Sequence, residues 1–373
     1  RATADVKRHG IAPDVKTALG VPIPDSENAV AGFKRLVAKI SWSRSEWDLI
    51  EEDNDPPPVV PATYTPAHAA EVRRLLAGNG WLIVAVDAMA EQRGAQWKAA
   101  DLDWPPAGRY LGRGRVVSQF LIMAAALAHH EGDDAEALKD LRRALSVARP
   151  LDAFPEFAGH LMGSSIRANV ALKLLEWSPT IKDSGEVRRE GDALAAELLN
   201  DIPEAAARRH AAEGEIAYTP RDVPDSLQAL NTWLFRPLVD DEIGRSIRLE
   251  RLALPALEAP NYQRAIVLEP QVPQTDTMLD MLSFQMSGGS LQGVITAEDH
   301  YVMLAHAGAA LWGCHDYQQR HGVYPSTLSA LVPQILPRGP SDVFANPVAD
   351  MHYRLDENGP KVWSVGKNGR DDG

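Results

Sequence analysis

The chain holds a single cysteine, Cys314, among its 373 residues. That excludes an internal disulfide and every metal motif built from several thiolates. Long apolar runs are missing too. The longest, Phe120 to Ala128, has nine residues, against the roughly 20 needed to cross a bilayer. Positive charge is short, with 38 Lys and Arg against 51 Asp and Glu and a formal charge of −13. A surface of that sign repels a phosphate backbone and no basic stripe interrupts it, so nucleic acid is excluded as an expected partner. What is present is ordinary for a folded chain: 45% apolar and 24% charged residues, in a length that supports two or three cores. The chain opens at Arg1 and not at methionine, which leaves room upstream of Arg1 for a signal or membrane anchor.

Three segments are expected. Residues 1–58 read as a polar lead-in, one helix and a linker. Asp25-Ser26-Glu27-Asn28 caps a segment whose Val30, Phe33, Val37 and Ile40 recur at helical spacing. Glu46 to Asp55 then carries acids without a base and runs into Pro56-Pro57-Pro58, an extended, solvated connection. Residues 59–290 read as a helical domain, an irregular array. Thr65-Pro66 is an N-cap followed by proline at the first helical position. The clearest unit is Val116 to Arg149, where one helix ends in His129-His130-Glu131-Gly132. Asp133-Asp134 opens the next, with Ala137, Leu138, Leu141, Ala144, Leu145 and Ala148 on its inner face. This hairpin resembles a tetratricopeptide unit, although about three such units make a stable solenoid. Further helices are expected over 186–213 and 238–254, with proline-rich breaks at 218–224 and 255–273 and a flexible joint at 287–290.

Residues 291–373 read as a small α+β domain. Thr296 with Asp299 is an acidic capping box, and Met303, Ala307, Ala310, Cys314 and Tyr317 share one helical face. Gly322 is a left-handed stop, Pro325-Ser326 restarts a short helix through Leu328 and Leu331, and Pro333 ends it. Met351–Leu355 and Lys361–Val365 flank Asn358-Gly359, a hairpin signal.

Tyr324-Pro325, Asn346-Pro347, Tyr353-Arg354 and Ser364-Val365-Gly366-Lys367-Asn368-Gly369 follow one another in the order found in the soluble part of a type II secretion major pseudopilin, and this last fifth of the chain resembles that family. The whole is also similar to a class of large, mostly helical envelope proteins of planctomycete-like bacteria, through Pro24 to Ala29, Leu234-Phe235-Arg236-Pro237 and Gly322 to Pro333. The resemblance implies the periplasm or cell envelope and assembly with another envelope protein. A pseudopilin carries its long apolar helix directly before the globular part, whereas here about 300 residues of other structure come first, so a filament subunit is not expected. Such pseudopilins bind calcium in the terminal loop. Carried over, that assigns Asn368, Asp371 and Asp372 as the metal residues, with Asp342 and Asp350 available to complete a shell of roughly six to eight oxygens. Asn368 stands where the family has aspartate, which lowers the expected affinity.

Other constellations reduce to ordinary readings. His300 with His306, and His315 with His321, are six residues apart and point about 240° away from one another on a helix, and there is no His-Glu-x-x-His. Gly288 to Gly293 lacks the Lys-Ser/Thr of a phosphate loop, and Gly112-Arg113-Gly114-Arg115 reads as a charged helix lead-in. Gly163-Ser164-Ser165 lacks the strand and second glycine of a nucleophile elbow. Asp240-Asp241-Glu242 and Glu213 with Glu215 are acid pairs of the kind that 51 acids make common. Trp42 with Trp47, and Trp97 with Trp104, suit a sugar cleft or, more simply, a core. The expected protein is therefore mainly α, with no catalytic residues and no cofactor beyond the calcium that the tail implies. It is read as a non-enzymatic envelope scaffold or accessory subunit that binds another protein. The alternative is an envelope hydrolase acting on polysaccharide beside Trp81, Trp97 or Trp104.

Overall fold

The computed structural model describes residues 19, 21–52, 64–102, 106–182, 184–200, 262–268 and 291–372, with positions 211, 213, 255, 256 and 259 between them. The extended connection expected from Glu46 to Pro58 is corrected in its first part: residues 46–52 belong to a helix, Arg44–Glu52, because Ile50 is fully buried and holds that turn against the core. Residues 53–58, Trp104, the acid pair at 240–242, the helix expected over 238–254, the break at 218–224 and the joint at 287–290 lie outside the described residues. Among the described residues the chain is mainly α, with ten α-helices and four short strands near the C-terminal end. The helices are α1 (Ala29–Lys39), α2 (Arg44–Glu52), α3 (Pro66–Gly78), α4 (Gly80–Ala90), α5 (Pro106–Glu131), α6 (Asp134–Asp152), α7 (Phe157–Trp177), α8 (Gly185–Asn200), α9 (Tyr262–Leu268) and α10 (Leu291–His321).

The helix starts follow local chemistry. Asn28 caps α1, its Oδ1 accepting from Val30 N at 3.1 Å and also from Gln96 N at 3.0 Å. Thr65 caps α3 with proline behind it, and Asp133 caps α6 by accepting from Glu136 N at 3.1 Å. Gly132 supplies the φ of 85° that turns α5 into α6. All six apolar positions expected on the inner face of α6 are buried.

α5, α6 and α7 pack in sequence, and α10 lies along α7, its most extensive neighbour, with α8 wedged against α6 and α10. α1 and α4 cover α6, while α2 and α3 cover α5. Trp97, 1% exposed, closes this core: its ring meets Phe33 and Phe154 edge-on, and its Nε1 donates to Pro150 O at 2.7 Å. Two glycines set the helix approach on the other side. A Cβ on Gly191 would stand 1.9 Å from the Trp312 ring, and one on Gly308 would stand 2.8 Å from Ala171 O. A single apolar cluster therefore extends from Ala29 to Met351. One helix among the described residues, Gly108–Glu131, is long and apolar enough to cross a membrane, but 72% of its apolar window of 18 residues is buried inside the fold.

The start of α10 differs from expectation. The helix begins at Leu291, so Thr296 and Asp299 sit inside it and cap nothing. Ile295, Val302 and Met303 form a continuous buried face through that point, and tertiary packing outweighs a local stop signal. After Gly322 (φ 76°) a short 3-10 turn, Leu328–Leu331, leads to two antiparallel pairs. β1 (Ser341–Asp342) pairs with β2 (Ala349–Asp350), and β3 (His352–Asp356) with β4 (Gly359–Trp363). Asp356 pairs with Gly359, so the two turn residues are Glu357 and Asn358. Gly359, at φ 106°, is the first residue of the return strand and not a turn residue.

One joint in the helical part carries a pH signature. Arg143 of α6, 8% exposed, reaches Asp87 of α4 at 2.8 Å, Glu136 at 2.5 Å and Asp140 at 2.7 Å. One guanidinium cannot neutralise three carboxylates, and the most buried of them, Asp140, is pushed up to about 6, mainly by desolvation. The sign follows from linkage: an acid with a raised folded pKa adds stability that is complete below its unfolded value and is lost as pH rises through 6. Asp140→Asn removes that dependence. The stability difference, variant minus wild type, should therefore rise by on the order of 2 kcal/mol between pH 4 and pH 7. Paired urea melts across that range check it, and a flat difference would refute the assignment.

Candidate functional site

Chemistry-bearing side chains come together at three places. The first is a hydroxyl–imidazole–carboxylate series that the sequence reading missed. His129 Nδ1 lies 2.6 Å from Asp134 Oδ1, and its Nε2 lies 3.5 Å from Thr180 Oγ1. The order matches an acid–base relay, but the wiring does not. Thr180 Oγ1 already donates to Trp177 O at 2.9 Å, and the Thr180 and Ile181 N–H groups go to the same carbonyl at 2.8 and 3.0 Å. Those N–H groups are thus not available for an oxyanion. Asp134 Oδ2 accepts from Lys182 N at 2.9 Å, and the His129 ring stacks on Trp177 at 4.7 Å. The cluster clamps the ends of α5 and α7 to the start of α6. Its only trace in the sequence is an acid five residues after a histidine, across a glycine turn.

The second place is the α7–α10 interface. His160 and Glu298, both with no exposed surface, meet through Nε2 and Oε1 at 2.8 Å. Ser164, one turn further along α7, is 1% exposed. A substrate has no approach to these groups. Other reactive side chains nearby are quiet as well. Burial pushes the Cys314 thiol up to about 12 and the His306 imidazole down to about 4, so neither is charged near neutral pH. His306 Nδ1 is engaged by Ser341 N at 3.0 Å, whereas His300 is exposed, so that pair does not converge. Gly163 lies inside α7, pressed on Asp152, and Gly114 lies inside α5 against Phe33 and Leu151.

The third is the terminal loop after β4, where the carried-over calcium residues lie. Asn368 Nδ2 donates to Asp372 Oδ2 at 2.7 Å. Asp371 turns to the hairpin instead, its Oδ1 accepting from Trp363 Nε1 at 2.7 Å and its Oδ2 lying 3.1 Å from His352 Nδ1. Asp342 has no exposed surface and accepts from Phe344 N at 2.9 Å, Ser364 Oγ at 2.8 Å and Val365 N at 2.8 Å. Asp350 is exposed on β2. In this arrangement the five side chains do not fit a calcium shell, because their oxygens face different donors rather than one centre. Among the described residues no three His, Cys, Asp or Glu side chains form a metal-holding group.

The tryptophans separate into core and surface. Trp97 is sealed in the core, while Trp42 packs edge-on to Trp47 at 5.4 Å and flat on Phe120 at 5.6 Å. Trp81 is half-buried beneath the Lys39 ammonium, 4.1 Å from its ring centroid. It belongs to α4, whose sequence is apolar on nearly every side. Leu82, Val86 and Met89 point into the core. Trp81, Val84, Ala85 and Ala88, at the i, i+3, i+4, i+7 spacing of a second face, are half-buried or exposed, and Val84 is 69% exposed. No family model, curated protein or solved structure matches the chain.

Proposed function

We propose that this chain is a non-enzymatic protein-binding scaffold or accessory subunit of the cell envelope. The observation that carries the reading is the second apolar face of α4. α4 is apolar apart from Asp87, which reaches Arg143, and its exposed apolar positions around Val84 on an otherwise acidic protein suit a contact surface. Small side chains at Ala85 and Ala88 beside Val84 let another helix approach closely, so the partner is a protein presenting an apolar helical face. The envelope location rests on the resemblance of the tail sequence to a secretion pseudopilin.

Val84→Glu tests the reading. Placed on an exposed position, it should change stability by no more than about 0.5 kcal/mol, yet it puts a charge in the centre of the strip. Affinity capture from the native envelope fraction should recover a stoichiometric protein with wild type and lose it with the variant. Recovery of the same protein by both would remove α4 as the docking face. Recovery of the chain alone by wild type would sink stable scaffolding.

A further inference from the structure

The terminal loop is built more firmly than a solvated tail needs to be. The buried carboxylate of Asp342 ties down Ser364 and Val365, and Gln263 of α9 donates to Lys367 O at 2.8 Å. Asn368 is held twice, by Asp372 and by Arg370 N at 3.0 Å, and Trp363 is held by Asp371. Among the described residues, the side chains of Lys367 and Arg370 make no hydrogen bond or ion pair. Both line an open hollow of about 520 Å³, together with Trp363, Asn368 and Asp372.

We propose that this hollow binds an acidic saccharide, a pyranose ring bearing a carboxylate. The Trp363 indole stacks on His352, with ring centroids 5.4 Å apart at 28°, and the Arg354 guanidinium stands 5.7 Å from its centroid. The part of Trp363 that lines the hollow gives it an apolar aromatic border, which suits the C–H groups of a sugar ring. Lys367 and Arg370 are the charge-assisted donors for the carboxylate. The amide–carboxylate pair Asn368 and Asp372, already oriented to each other, offers both donors and acceptors to ring hydroxyls. The clustered charge of a nucleotide's phosphates fits less well, because it would sit beside Asp372. A divalent cation fits less well still, because Lys367 and Arg370 line the same space. Ordering of the loop before binding removes part of the entropy that a mobile tail would lose.

The test is calorimetric titration of the full chain with trigalacturonic acid, with maltotriose and ADP as separate titrants. Saturable binding of the uronate is expected, with maltotriose weaker by about tenfold or more. The double variant Lys367→Glu/Arg370→Glu should weaken the uronate by about tenfold or more with an unchanged melting temperature, since neither side chain has a partner to lose. Absence of uronate binding up to about 10 mM overturns the proposal. So does equal affinity in the charge-reversed protein, tighter binding of ADP, or binding abolished by EDTA and restored by calcium chloride. Docking through α4 stands or falls separately, because the two surfaces share no residue.

Discussion

Asp342→Ala should cost the fold about 3–5 kcal/mol, read as a shift in the urea midpoint at unchanged slope. Three donors converge on this one carboxylate, Phe344 N, Ser364 Oγ and Val365 N, all between 2.8 and 2.9 Å. Each hydrogen bond to a charged acceptor contributes about 1.5–3 kcal/mol, and alanine leaves the buried Phe344 N and the half-buried Ser364 Oγ and Val365 N without their acceptor. Asp342→Asn is the control. Its one carbonyl oxygen keeps part of the set, so its loss should be about half as large. The same variants separate loop order from saccharide binding. If Asp342 only stabilises β1, uronate affinity in the folded fraction is unchanged; if it holds the hollow in shape, affinity falls in step with stability. A loss under about 1 kcal/mol for alanine would mean that the donors find other acceptors and that the loop is not anchored here.

What the sequence revealed, and what it hid, divides by distance along the chain. Asn28, Thr65-Pro66, Gly132-Asp133 and Gly322 were legible because a cap or a left-handed glycine is decided by its immediate neighbours. The six inner positions of α6 were legible because helical periodicity needs one helix alone. Thr296 misled because a cap signal is only local, and the apolar face of α10 continues through it. The hairpin was found, but its turn is one residue earlier than the Asn-Gly pair suggested.

The candidate sites show the same limit more sharply. Asn368, Asp371 and Asp372 are neighbours in sequence, yet Asp371 turns away from the other two toward Trp363 and His352, and no local rule foretells that. His160 and Glu298 are 138 positions apart, and Trp312 fills the space over Gly191 from 121 positions away. Such pairings depend on which helices become neighbours. The second face of α4 was legible in principle, since Gly80 to Ala90 is apolar almost throughout. The spacing alone does not say which of two apolar faces is turned inward. The sealed His160–Glu298 pair and the open α4 strip are thus complementary. Polar groups here secure the helix packing, while Val84 of α4 stays exposed.

Breaking the His160–Glu298 pair from one side should be the most damaging polar change in the helical part. Glu298→Leu leaves an imidazole nitrogen at full burial without its carboxylate, and His160→Leu does the reverse. Each is expected to lose about 3–5 kcal/mol, the range for removing one member of a buried pair. The double variant should be less damaging than the sum of the two. Replacing both groups by apolar side chains leaves neither of them stranded at the α7–α10 interface, and such exchanges are often close to neutral. The coupling in the double-mutant cycle should therefore be large, above about 3 kcal/mol. Additive losses would show that the two side chains contribute independently and that the 2.8 Å contact does not join α7 to α10. If instead both single variants keep nearly all their stability, the pair is retained for something other than packing. The sealed interface would then be the first place to look again for a reaction.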